Sequence, residues 1–208
     1  MESKKQSGGI ISIIGILIVV VFASVVGKSC GKSLSSERNT PQHASPAPPS
    51  RNELKKYNVV GLNLLLPGSP VADSIKLPPG ASNIVRSLKT YKVSDGSMNI
   101  TITYAVYVNP EVNLDGSAEG AITSVRNLPT VRSFTSSKKA TNVAGLAGRE
   151  LTMSYMNSKF QIDQYGLVFA NGGEAWQIQI IGEGIQNRTA LEDLKNAVFE
   201  SIQLSPSN

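Results

Sequence analysis

The chain has one cysteine and one histidine among its 208 residues, and both lie near the amino terminus, at Cys30 and His43. From residue 53 onward there is neither. That absence removes from the remainder a Ser-His-Asp triad, a cysteine nucleophile and any zinc site built of His or Cys. What survives is carboxylate, Lys, Tyr or hydroxyl chemistry, or a hard metal on oxygen ligands. Aromatics make up only 6% and charged residues only 17%, against a typical ~25% charge. So little charge excludes a coiled coil and a charged disordered chain, while 18 Gly and 11 Pro suit a strand-rich domain with extra segments. The lack of cysteine in the domain is compatible with either redox compartment.

A net charge of +5 invites a nucleic-acid reading, which the distribution of the charge removes. Residues 1–52 hold six Lys or Arg against two Glu, a net +4, and residues 53–208 hold 14 against 13, a net +1. A near-neutral domain lacks the concentrated positive field that phosphate binding requires. We therefore expect no nucleic-acid partner.

After a flank at residues 1–9, Ile10 to Val26 runs for seventeen residues without a charge. As a helix rising ~1.5 Å per residue it is about 26 Å long, close to the thickness of a bilayer's hydrocarbon core. A secretory signal peptide has a shorter apolar stretch and a small-x-small cleavage site, and here only the weak Val25-Val26-Gly27 offers one. The reading is an uncleaved transmembrane signal anchor at residues 10–26, with cleavage left open. Lipidation of Cys30 is also left open, although Gly27-Lys28-Ser29-Cys30 puts a lysine where that signal carries small residues. Lys4 and Lys5 flank one side and Lys28, Lys32 and Arg38 the other, so the positive-inside rule names no winner. We expect the domain outside the cytoplasm because a single N-terminal apolar segment most often acts as an export signal. Residues 27–52, rich in Pro and Ser and ending in Ala47-Pro48-Pro49, read as a linker that spaces the domain some tens of Å from the membrane.

In the domain, residues 53–208, the apolar period is mostly two. Met98, Ile100, Ile102, Tyr104, Val106 and Val108 alternate with Asn99, Thr101, Thr103, Ala105 and Tyr107, which predicts a strand with one buried face. Leu151, Met153 and Tyr155 alternate in the same way. Asp95-Gly96 and Asn171-Gly172-Gly173 mark hairpins. Ala118, Ile122, Val125 and Leu128 switch to helical spacing up to Pro129, with Asp115 or Ser117 as cap. Leu191, Leu194, Val198 and Ile202 line a last helix, with Thr189 and Glu192 as its capping box. The expected fold class is α+β: a central antiparallel sheet with helices packed on it, preceded by one transmembrane helix.

Val59-Val60-Gly61-Leu62-Asn63-Leu64-Leu65-Leu66-Pro67, the hairpin, the helix, Val143 to Leu151, the Trp176 strand and the final Phe199-Glu200-Ser201-Ile202 together resemble the PsbP-like superfamily. Within it, the bacterial DcrB-like envelope proteins are closest in style. The likeness covers residues 57 to 204 and rests on element order. It implies a PsbP-like fold and a non-catalytic, membrane-associated accessory or binding role, and it transfers no functional residues.

The remaining motifs fail on inspection. Gly31-Lys32-Ser33 lacks the first glycine of a phosphate loop, since Val26 stands there. Ser136-Ser137-Lys138-Lys139 matches Ser-x-x-Lys only within a polar stretch. Glu111 to Ile122 starts like a calcium loop, but Ile122 stands where the closing Glu belongs. Gly182-Glu183-Gly184 has Asn187 where a dinucleotide loop needs its third glycine, and Gly145 and Gly148 read as turn formers. Trp176, Tyr104 and Tyr107 could line a ligand surface, with core packing favoured for Trp176 and Tyr104.

The sequence thus predicts a single-pass, membrane-anchored, non-enzymatic binding or assembly module. Its partner would be an envelope or membrane protein, and it would have no catalytic residue, metal site or cofactor. Two alternatives stay open. A carrier of a small apolar ligand requires an apolar cavity between sheet and helix. A carboxylate-dependent hydrolase acting near the membrane requires two Asp or Glu in one cleft at ~5 to 10 Å.

Overall fold

The hairpin signals and alternating runs assemble into one seven-stranded antiparallel sheet and a smaller three-stranded one. The computed structural model describes residues 49–50, 53–75, 77, 80–94 and 98–205, without the side chains of residues 185–187. The expected flank, anchor and most of the linker, with Cys30 and His43, lie outside the described residues, as does the Asp95-Gly96 turn. Among the described residues no helix is long and apolar enough to cross a membrane.

The elements are β1 (Lys55–Val59), β2 (Leu62–Leu66), β3 (Val71–Asp73), β4 (Val85–Ser94), β5 (Met98–Tyr107), α1 (Leu114–Arg126), β6 (Val131–Val143), β7 (Leu146–Asn157), β8 (Phe160–Asn171), β9 (Glu174–Glu183), α2 (Gly184–Glu200) and β10 (Gln203–Leu204). The large sheet has the order β3-β4-β5-β9-β8-β7-β6, and the small one β1-β2-β10. Hairpins make most of the neighbours, and α1 carries the chain from β5 to the far edge strand β6, leaving room for β9 to close against β5. Two-residue loops set two registers. Val60-Gly61 and Ala144-Gly145 both have positive φ at each position, as the right-handed twist of a tight hairpin demands. Gly145 therefore forms a turn as expected. Gly148 does not: it lies inside β7, where a Cβ would come 3.1 Å from the Val168 carbonyl oxygen.

Alternation sends side chains to two faces. On one, Ile100, Ile102, Leu167, Phe169, Ile178 and Ile180 pack against Leu191, Leu194 and Val198 of α2 and Leu62, Leu64 and Leu66 of β2. On the other, Leu151, Met153, Tyr155, Ile162 and Ile181 pack under Ala118, Ala121, Ile122 and Val125 of α1. The central strands are thus covered on both faces, which corrects the expectation of one buried face for β5. Thr101, Thr103 and Tyr107 are buried, whereas Val108, placed in the core by the pattern, lies past the strand end and is 43% exposed.

Helix limits also differ from the sequence signals. Asn113, not Asp115 or Ser117, caps α1, its side chain accepting from the Gly116 N–H. The helix stops at Arg126, three residues before Pro129, and Leu128 packs from beyond it. The last helix begins at Gly184, directly out of β9 and five residues before the apparent capping box at Thr189. There Glu192 is used otherwise, as acceptor for the Tyr165 hydroxyl at 3.4 Å.

Candidate functional site

Two grooves open on the face of the large sheet that carries α2. The first follows from the width of the sheet: α2 covers its middle, leaving β6 and half of β7 as an uncovered wing with the helix as a wall. Cross-strand pairing lays out the floor, with Ser137 opposite Thr152 and Lys139 opposite Glu150. The helix contributes Glu192, Lys195, Asn196 and Phe199. Two hollows of about 260 Å³ each adjoin along this slot and share Lys139, Glu150, Lys195 and Asn196 as lining.

Glu150 is its electrostatic centre. The carboxylate meets Lys139 Nζ at 3.0 Å and Lys195 Nζ at 3.0 Å, with side-chain exposures of 13% for Glu150 and 16% for Lys195. Lys195 also stands 5.7 Å from the centroid of the Tyr165 ring, a cation–π arrangement. Burial by itself raises the Glu150 pKa, but hydrogen bonds from Lys139 and Lys195 more than offset it and hold the carboxyl below its usual range. Burial, then Glu192 and Asp163, raise the Tyr165 hydroxyl, so it stays a neutral donor. A carboxyl depressed by folding contributes stability above its unfolded pKa of ~4.3, and that contribution is lost as pH falls through the folded value. We expect the urea midpoint to drop as pH is lowered from about 5, and Glu150→Gln to flatten this dependence.

The second groove, of about 360 Å³, lies toward the β8–β9 hairpin. One cross-strand row runs Lys89, Tyr104, Trp176, Phe169 over β4, β5, β9 and β8. Trp176 stacks on Phe169 with centroids 5.4 Å apart and tilts against Tyr104 at 5.4 Å. Its indole N–H donates to the Val60 carbonyl at 2.9 Å, tying the small sheet to the large one. Trp176 is therefore a core residue, as its alternation implies, yet its edge and Tyr104 line the groove floor. The Tyr104 hydroxyl donates to Glu174, and burial followed by that carboxylate pushes its pKa up to about 12.

The motifs singled out in the sequence are dispersed or consumed. Ser136-Ser137-Lys138-Lys139 lies along β6 with its two lysines on opposite faces: Lys138 pairs with Asp115 and Glu119 of α1, and Lys139 with Glu150. The calcium-like segment is spent in the same way, with Asn113 capping α1 and Asp115 held by Arg149 at 2.7 Å. No group of three or more His, Cys, Asp or Glu that could hold a metal occurs among the described residues. Gly182 packs under Leu191 of α2, and Gly184, the first residue of α2, packs against Asp163, so neither belongs to a phosphate loop. Sequence reasoning missed the Lys139–Glu150–Lys195 cluster, although the two-residue loop at Ala144-Gly145 fixes Lys139 opposite Glu150.

No protein-family profile matches the sequence, and a search of curated proteins returns no match. Solved structures do resemble it. The solution structure of cyanobacterial PsbP (CyanoP) from Synechocystis sp. PCC 6803 superimposes with a TM-score of 0.51 at 12% identity, over 82% of this chain and 98% of that one. LpqN, involved in cell envelope biogenesis of Mycobacterium tuberculosis, gives a TM-score of 0.43 at 18% identity over 74% and 93%. A Pseudomonas aeruginosa protein of unknown function described as a putative regulator gives 0.38 at 12% identity, over 70% and 93%. A sheet of hairpins backed by two helices, in the order the sequence suggested, is thus shared along almost the whole length of CyanoP, and the fold of this domain is PsbP-like.

Proposed function

We propose that the chain is a membrane-anchored, non-enzymatic binding or assembly module that holds its PsbP-like domain outside the cytoplasm and engages an envelope or membrane protein through the α2 groove. The observation that carries this reading is the slot itself. A partly buried Glu150 bridging two lysines, with Ser137 and Thr152 beside it, presents a prearranged polar surface on the face of the sheet wing that α2 leaves uncovered. Residues 10–26 supply the anchor and residues 27–52 the reach.

The alternatives fare less well against the same geometry. Glu150 and Glu192 do line one groove, as a carboxylate hydrolase requires. Both oxygens of Glu150 are tied to ammonium groups at 3.0 Å, however, so it neither holds a proton to donate nor presents a free oxygen to a water or a sugar. An apolar-ligand carrier would hollow out the space between sheet and α2, which Leu167, Ile178, Ile180, Leu191 and Leu194 fill.

Two outcomes test the proposal. Deleting residues 1–26 should move the protein from the membrane to the soluble fraction, and retention in the membrane refutes the anchor. Capture from native membranes, with the full chain and the anchor-deleted chain as parallel baits, should return the same envelope or membrane protein, and clean recovery of both baits alone refutes the binding role.

A further inference from the structure

The second groove combines features that the α2 groove lacks. Its floor is aromatic, from Tyr104 and Trp176, and one cation and one carboxylate, Lys89 and Glu174, stand at its sides. Lys89 and Glu174 have no ion-pair partner among the described residues, and they do not pair with each other; Glu174 accepts only the neutral Tyr104 hydroxyl. The sheet explains their separation. Lys89 is two strands from Trp176 and Glu174 two residues along β9 from it, so at ~4.8 Å per strand and ~3.4 Å per residue their Cα positions are about 12 Å apart. Two long side chains reaching inward over that distance leave room for a small guest between their charges. The volume of about 360 Å³ falls at the small-ligand end of binding cavities.

Charge decides the guest. A simple cation would meet Glu174 and the aromatic floor but be repelled by Lys89, and a simple anion would meet the reverse. A neutral apolar guest would leave both charges unpaired in a groove it had dried out. We propose that this groove binds a small zwitterion, its amine against Glu174 and the Tyr104 ring and its phosphate or carboxylate on Lys89. A free phospho-amine and the zwitterionic headgroup of a lipid share this chemistry.

Trp176 is the only tryptophan in the sequence and lines the groove, so its emission reports occupancy directly. The full chain in non-ionic detergent micelles is titrated with phosphoethanolamine, ethanolamine and inorganic phosphate. The zwitterion should give a saturable change, with each half-ligand about tenfold or more weaker, as loss of one charge-assisted contact implies. Lys89→Gln should reduce phosphoethanolamine to the affinity of ethanolamine, and Glu174→Gln to that of phosphate. Lys89 is exposed, so its substitution leaves the fold intact, and circular dichroism verifies this for both variants. In a second arm the chain sits in nanodiscs of phosphatidylethanolamine or phosphatidylglycerol. A Trp176 shift only in the former assigns the headgroup, and a response only to the soluble compound assigns a free solute. No saturable change up to about 10 mM, a response that both substitutions leave unaltered, or half-ligands as good as the whole would overturn the proposal.

Discussion

Replacing Gly184 with Ala lowers the unfolding free energy by about 3 kcal/mol, a large effect for one methyl group. Gly184 is the first residue of α2, where alanine would ordinarily gain up to ~1 kcal/mol of helix propensity. Here the added Cβ would overlap the Asp163 carboxylate, whose Cγ lies 2.5 Å from that position. Asp163 cannot give way cheaply. It is 3% exposed, accepts from Ser154 Oγ at 2.7 Å and holds Arg188 through Nε at 2.9 Å. Pushing it aside breaks a hydrogen-bonded pair one member of which is buried, a cost that exceeds the propensity gain. Urea unfolding followed by circular dichroism checks the magnitude. Because the clash is with one side chain, Gly184→Ala should cost far less in an Asp163→Ala background, and equal costs in both backgrounds would refute the steric explanation.

Trp176→Ala should cost about 4 kcal/mol, within the range for truncating a buried aromatic. The side chain is 4% exposed and sandwiched between Phe169 and Tyr104. Its loss also frees the Val60 carbonyl, the point where the turn of the small sheet is pinned to the large one. Trp176→Phe keeps most of the ring contact and removes only the N–H, so about 1 to 2 kcal/mol is expected. Circular dichroism must replace fluorescence here, since no other tryptophan remains. A Phe variant as unstable as the Ala variant would mean that the hydrogen bond, not the packing, dominates.

The sequence exposes what is local. Asn171-Gly172-Gly173 forms its hairpin because glycine accepts the positive φ found at Gly172. The stripes Ala118/Ile122/Val125 and Leu191/Leu194/Val198 are buried as their spacing requires. What failed was decided from a distance. Thr101 and Thr103 are polar and alternate with isoleucines, so they read as a solvent face, yet both are buried on the face of β5 opposite its isoleucines. The Thr189/Glu192 pattern has the form of a cap, but Gly184 against Asp163 lets the helix start straight from β9. In the α2 groove, Lys139 opposite Glu150 follows from a two-residue loop. Lys195 joins them only through the azimuth at which α2 docks, which packing against Leu167 and Ile180 sets and no local pattern encodes.

Neighbouring residues of β6 offer the most direct test of the groove as a binding surface. Ser137 faces the slot opposite Thr152, and Ser136, opposite the buried Met153, faces the α1 side. A photo-crosslinking amino acid placed at either position in the full chain, in native membranes, samples opposite faces of the same strand. The account predicts a discrete adduct with one envelope or membrane protein from position 137 and none from position 136. Equal adducts from both, or none from position 137, would contradict it.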